Sequence, residues 1–191
     1  NNQSGGTTAS HTNKQYYSSG YGSGGINYEA QKTSPTFTLK ENGFVKTGYS
    51  FNKWADSSTT GTKYNEKASY TFAASETSSA TTKTMYATWT PNIYKVTLNN
   101  QGATDSGTTA YWYRFNTTKV IDGETVYYYT NAECTTPLSN YQITKPIKNG
   151  YTFAGYYTGL NGTGTQYVNE NGQAINNLYQ ASSNNITSYA K

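Results

Sequence analysis

The stretch Gly150-Tyr151-Thr152-Phe153-Ala154-Gly155-Tyr156 decides how this chain is read, because Gly48-Tyr49-Ser50-Phe51-Asn52-Lys53-Trp54 writes the same phrase in the first half of the sequence. The pairs Gly48/Gly150, Tyr49/Tyr151, Phe51/Phe153 and Trp54/Tyr156 align without a gap. With a one-residue shift, Gly61-Thr-Lys-Tyr64 matches Gly164-Thr-Gln-Tyr167, and Tyr86-Ala-Thr-Trp89 matches Tyr189-Ala-Lys191. Upstream, Gly6-Thr-Thr-Ala9 matches Gly107-Thr-Thr-Ala110, and Asn1-Asn-Gln3 matches Asn99-Asn-Gln101. Short matches kept in order over such a span read as tandem modules, each a small supersecondary unit. We expect residues 1–91 to form the first module, with 1–35 only loosely matched, and residues 92–191 to form the second. Pro91 and Asn92 mark the junction, since proline cannot donate to a strand ladder.

The second copy opens on Ile93-Tyr-Lys-Val-Thr-Leu98, where Tyr94, Val96 and Leu98 alternate onto one face. No such run precedes the matching Asn1, so the first copy is expected to lack its opening strand. Either the chain is cut from a longer array out of phase with the repeat, or a neighbouring chain supplies the strand to an open sheet edge. Further strands are expected near 110–117, 125–130, 141–144, 151–157, 165–168 and 187–191, with room for one short helix within 171–180. Asp122-Gly123, flanked by Val120-Ile121 and Thr125-Val126, is a two-residue hairpin signal, since both turn residues tolerate positive φ. In the repeated phrase, Gly150 permits the turn, Phe153 is expected in the core and Tyr151 at its margin. The fold class that follows is mainly β, α+β at most.

Composition narrows the function classes. Charged residues make up 13% of the chain, about half the ~25% of ordinary soluble domains. With 16% aromatics and only four prolines, the chain does not read as disordered either. Because 21 of the 191 residues are Tyr, much of the apolar material carries a hydroxyl and aliphatic cores must be small. A net charge of +4 is spread thinly, and Arg114 is the sole arginine, so nucleic acid is not an expected partner. No apolar run approaches the ~20 residues of a membrane span, so no membrane insertion is expected. No secretory apolar segment opens the chain either, so an exported form would be a mature or excised piece.

Chemistry-bearing residues are few. His11 and Cys134 are the single histidine and cysteine, which excludes an internal disulfide and a metal site of Cys and His type. A Ser-His-acid triad would have to use His11, which sits among Gly, Ser and Thr. Acids such as Glu29, Glu41, Asp56, Asp105, Glu124 and Glu170 are scattered among turn residues rather than paired as glycoside hydrolysis requires. We therefore expect no enzymatic activity, no catalytic residue, no cofactor and no metal. Cys134 reads as a partly buried small side chain. One covalent alternative to a solvated Lys95 is an amide cross-link to Asn184 or Asn185.

The order of an alternating strand, Asn99-Asn-Gln101, Lys148-Asn-Gly-Tyr-Thr-Phe-Ala-Gly-Tyr-Tyr-Thr158 and Ser188-Tyr-Ala-Lys191 resembles the Listeria-Bacteroides repeat, also called the internalin B-type repeat. The likeness covers residues 36–90 and 93–191. It departs from the pattern at Asn52, at Lys53-Trp54 and in an insertion at about 112–130 that lengthens a hairpin. The resemblance implies two tandem β-grasp-like modules of an extracellular protein on the bacterial cell surface, acting as stalk, spacer or filament subunit. Neighbouring copies would be its partners, with strand exchange as one route. The alternative is an adhesin module that binds glycan or host surface through exposed aromatics. The inserted hairpin then offers Trp112, Tyr113, Tyr127, Tyr128 and Tyr129. Because Tyr111, Tyr113 and Phe115 share one face and Trp112 and Arg114 the other, at least one face is expected to be exposed.

Overall fold

The computed structural model describes residues 3–4, 18–22, 25–29, 36–58, 60–71, 84–175, 177–182 and 186–191. Among them the fold is mainly β. Its helical residues form three short 3-10 turns, Ser139–Tyr141, Leu160–Gly162 and Leu178–Gln180. The chain divides into two compact units, one of residues 1–46 and 51–90, the other of residues 47–50 and 91–191.

The first unit holds β1 (Gln3–Ser4), β2 (Ser18–Gly22), β3 (Gly25–Glu29), β4 (Thr36–Thr38), β5 (Val45–Lys46), most of β6 (Tyr49–Ala55), β7 (Lys63–Tyr64), β8 (Ser69–Thr71) and nearly all of β9 (Tyr86–Pro91). Its main sheet runs β1-β5-β6-β7 with β9 also paired to β6, while β2-β3 and β4-β8 form separate pairs. Leu39, Trp54, Tyr70 and Ala87 make the core, flanked by Phe44, Phe51, Tyr64, Met85 and Trp89. Trp54 is the anchor. Phe51 lies against its ring at 5.1 Å, and its indole N–H donates to the Lys40 carbonyl at 2.9 Å, so the one polar atom of a large apolar side chain is satisfied. The buried Thr88 uses its hydroxyl twice on the Lys53 backbone, donating to the carbonyl at 2.8 Å and accepting from the amide at 3.2 Å. Among the described residues β9 pairs with β6 alone.

The second unit holds β10 (Ile93–Asn99), β11 (Ala110–Arg114), β12 (Lys119–Ile121), β13 (Glu124–Val126), β14 (Tyr156–Tyr157), β15 (Gln166–Val168) and β16 (Ile186–Ala190). Its sheet runs β11-β10-β16-β14-β15. The opening and closing strands lie side by side and parallel, with Val96 opposite Ile186 and Asn99 opposite Tyr189. Alternation sends Tyr94, Val96 and Leu98 of β10 to the same face as Tyr111 and Tyr113 of β11, Tyr156 of β14 and Val168 of β15. Among the described residues no α-helix covers that face. Tyr128, Leu138, Ile143 and Ala174 do so from irregular segments and Leu178 from a 3-10 turn. Tyr128, the aromatic one among these five, stands edge-on to Tyr111 at 5.2 Å and to Tyr113 at 6.4 Å.

Several strand expectations change. The Asp122-Gly123 hairpin forms, with φ of 50° and 85°, joining β12 to β13. The strand expected at 110–117 stops at Arg114, and Asn116 beyond it has a positive φ of 44°. Residues 141–144 are a 3-10 turn and an isolated Gln142–Gln173 bridge rather than a strand. Of the stretch 151–157 only Tyr156–Tyr157 joins the sheet. The short helix expected in 171–180 is a single 3-10 turn. The amides of Asn116, Ile143 and Ala154 donate to the carbonyls of Tyr179, Gly172 and Lys191 at 2.7, 2.9 and 2.9 Å, partners distant in sequence that local pattern does not encode.

Candidate interaction surface

The five rings assigned to ligand contact lie in or against the cores. Tyr113, Tyr128 and Tyr129 are 0%, 2% and 2% exposed. Tyr127 is half-buried, its ring 4.8 Å from that of Tyr179 and 5.5 Å from that of Tyr141. Trp112 is half-buried against a second cluster of Val126, Tyr129 and Cys134 on the opposite face of β11. Tyr113, Tyr128 and Tyr129, buried in this way, offer no free face on which a sugar could stack, whereas Trp112 and Tyr127 are covered in part. The segment read as an insertion is therefore integral to the module: Tyr128 closes its main core, and Val126, Tyr129 and Trp112 build its satellite. The reason is coverage. A sheet with no helix on it takes its bulk from whatever chain crosses it, and here that chain is rich in tyrosine.

Burial acts on the phenols. It raises those of Tyr111, Tyr113 and Tyr128 well above their ordinary value and pushes Tyr156 up to about 12, because the phenolate would lose its hydration. Tyr113 is satisfied by donating to the Ala181 carbonyl at 2.9 Å, and Tyr141 donates to the Thr125 carbonyl. The hydroxyls of Tyr111, Tyr156 and Ser188 are buried without a partner among the described protein atoms. Cys134 is buried rather than partly so, and burial raises its thiol, which makes it a poor nucleophile. Lys95 is exposed, with its ammonium 5.7 Å from the centre of the Trp112 ring. Its environment is thus not the dry core that an amide cross-link needs, and Asn184 and Asn185 lie outside the described residues. Among the described residues no three metal-ligating side chains gather. No helix there is long and apolar enough to cross a membrane.

What the second unit does expose is the start of the repeated phrase. Tyr151 is 73% exposed, although Phe153, two residues on, packs against the core. Lys148 sets the ring: its ammonium lies 4.8 Å from the Tyr151 centroid and donates to the Gln101 carbonyl at 3.0 Å. Beside it opens a cleft of about 350 Å³ lined by Asn100, Gln101, Tyr151, Phe153, Asn161 and Lys191 among others. The Lys191 stem lies over Gly162, whose missing Cβ leaves it room, and its ammonium sits 5.8 Å from the Tyr157 ring. No carboxylate side chain lines this cleft.

The first writing of the phrase meets a different environment inside the same unit. Gly48 is buried and its φ is 78°. A Cβ there would fall 2.3 Å from the Phe115 ring. Tyr49 stands edge-on to Phe115 at 5.3 Å and 87°. The Gly48 carbonyl accepts from the Asn92 amide at 2.9 Å, and Ser50 donates its hydroxyl to Asn92 Oδ1 at 2.6 Å. Glycine, aromatic ring and hydroxyl thus occupy one seat built from Asn92 and Phe115. Local sequence pointed to the phrase, but nothing in it pointed to the seat. Compared with protein-family models, curated proteins and solved structures, the chain matches none.

Proposed function

We propose that this chain is a pair of tandem β-grasp-like modules from an extracellular bacterial surface protein, acting as stalk, spacer or filament material and not as an enzyme. One observation carries the reading: β6 pairs with β7 and β9 as β14 pairs with β15 and β16, at the positions the sequence repeat aligns. Trp54 and Tyr156 sit at the centre of the two cores, and Ala87 and Ala190 pack at matching places. The order β11-β10-β16-β14-β15, with first and last strands parallel at the centre, supports the β-grasp comparison for the second module. Each unit buries its own aromatic core, which suits a bead in a linear array. The low charge suits a surface whose contacts change little with salt.

The test is made on cells bearing the parent surface protein. Deleting this segment should shorten the reach of whatever it presents, and a foreign β-module of equal length should restore it. Failure of the equal-length replacement would overturn the spacer reading and favour direct adhesion.

A further inference from the structure

The second unit holds one Gly-Tyr-hydroxyl segment in a seat and displays another with none. We propose that Gly150-Tyr151-Thr152 is a docking plug for a further module of the same repeat type, one that presents an aromatic ring and an asparagine as Phe115 and Asn92 do. The inference rests on the tandem-module reading and names a segment that would hold a further module.

The left-handed glycine, the aromatic ring and the hydroxyl of the seated copy each have a counterpart in the displayed one, although Tyr49 and Ser50 lie in β6 whereas Tyr151 and Thr152 precede β14. Gly150 has a φ of 80°, against 78° at Gly48, and a Cβ on it would meet nothing within 4 Å. The left-handed turn is kept where no neighbour yet requires glycine. Thr152, exposed, stands where Ser50 donates to Asn92. Tyr151 stands where Tyr49 meets Phe115 edge-on, and a tyrosine ring brings large contact area with only two torsions to order. Lys148 already holds that ring from one side, which lowers the ordering cost of docking. A single ring is a weak ligand between separate molecules. Within one tandem chain the docking step becomes intramolecular, which favours the contact without any new interaction.

The experiment uses the full chain and the full chain extended by a second copy of residues 90–191 after Lys191, which keeps the sequence spacing between plug and asparagine. Amide hydrogen exchange at Tyr151 and Thr152 should slow by about tenfold or more in the extended chain. A Phe115→Ala change in the appended copy alone should restore the fast rate. Tyr151→Ala in the unextended chain, at an exposed site, should leave its melting temperature unchanged. An appended copy that folds, with its own opening strand protected, but leaves Tyr151 exchange fast would overturn the docking inference while the module reading stands. An appended copy that does not fold would overturn both. A uronic-acid oligosaccharide that shifts Tyr151 resonances in a Lys148-dependent manner, with no slowing in the extended chain, would assign the surface to an acidic glycan instead.

Discussion

Replacing Gly48 and Gly150 by alanine, one at a time, measures how much of the second unit's stability rests on the Phe115 seat. Both glycines are left-handed, at φ 78° and 80°. An alanine there costs about 1–2 kcal/mol, offset by roughly 0.4–1 kcal/mol of lost unfolded-chain entropy. That balance is common to both sites. At Gly150 nothing further is met, whereas at Gly48 the new methyl falls 2.3, 2.4 and 2.5 Å from three carbons of the Phe115 ring. Carbon pairs prefer ~3.5–4 Å, so the ring must move by about 1 Å. Moving it gives up the Tyr49–Phe115 edge contact, about 0.5–1.5 kcal/mol, and forces repacking of about 1–3 kcal/mol. Gly48→Ala should therefore destabilise the second unit by roughly 2–4 kcal/mol more than Gly150→Ala. For a domain near 100 residues that separates the melting temperatures by roughly 10 °C or more. Urea unfolding followed through amide resonances of β10 and β11 reads the second unit selectively. Equal midpoints, within about 0.5 kcal/mol, would refute the seat.

Three other outcomes follow from the same packing. Tyr113→Phe removes a bond to Ala181 and should cost about 1 kcal/mol, whereas Tyr111→Phe removes a hydroxyl with no partner among the described residues and should be neutral or stabilising; a larger loss at Tyr111 in urea midpoints would contradict this. Trp112→Ala strips a half-buried ring from Val126, Tyr129 and Cys134 and should lower stability by about 2 kcal/mol, so an unchanged melting temperature would return Trp112 to the ligand candidates. Burial pushes Tyr156 up to about 12, against ~10 in the unfolded chain. The folded state then keeps a proton that the unfolded state releases. Its contribution is complete below about pH 10 and is lost as pH rises toward 12, at up to about 1.4 kcal/mol per pH unit. Tyr111, Tyr113 and Tyr128 add in the same direction. A chain that keeps its near-ultraviolet dichroism at pH 12 would contradict it.

The sequence by itself determined the mainly-β character, the alternation of Tyr94, Val96 and Leu98, the Asp122-Gly123 hairpin and the doubled phrase, because each is written in residues adjacent along the chain. Which tyrosines are buried was decided only by the tertiary structure. Tyr128 is enclosed because residues 127–143 cross a sheet face that no α-helix covers among the described residues, against Tyr111 and Tyr113 on another strand. The two Gly-Tyr phrases make the same point most directly. Tyr49 and Tyr151 have nearly the same neighbours in sequence, yet one ring lies against Phe115 and the other stands 73% exposed. Backbone turn and face are local properties, whereas burial depends on what a distant segment brings across the ring.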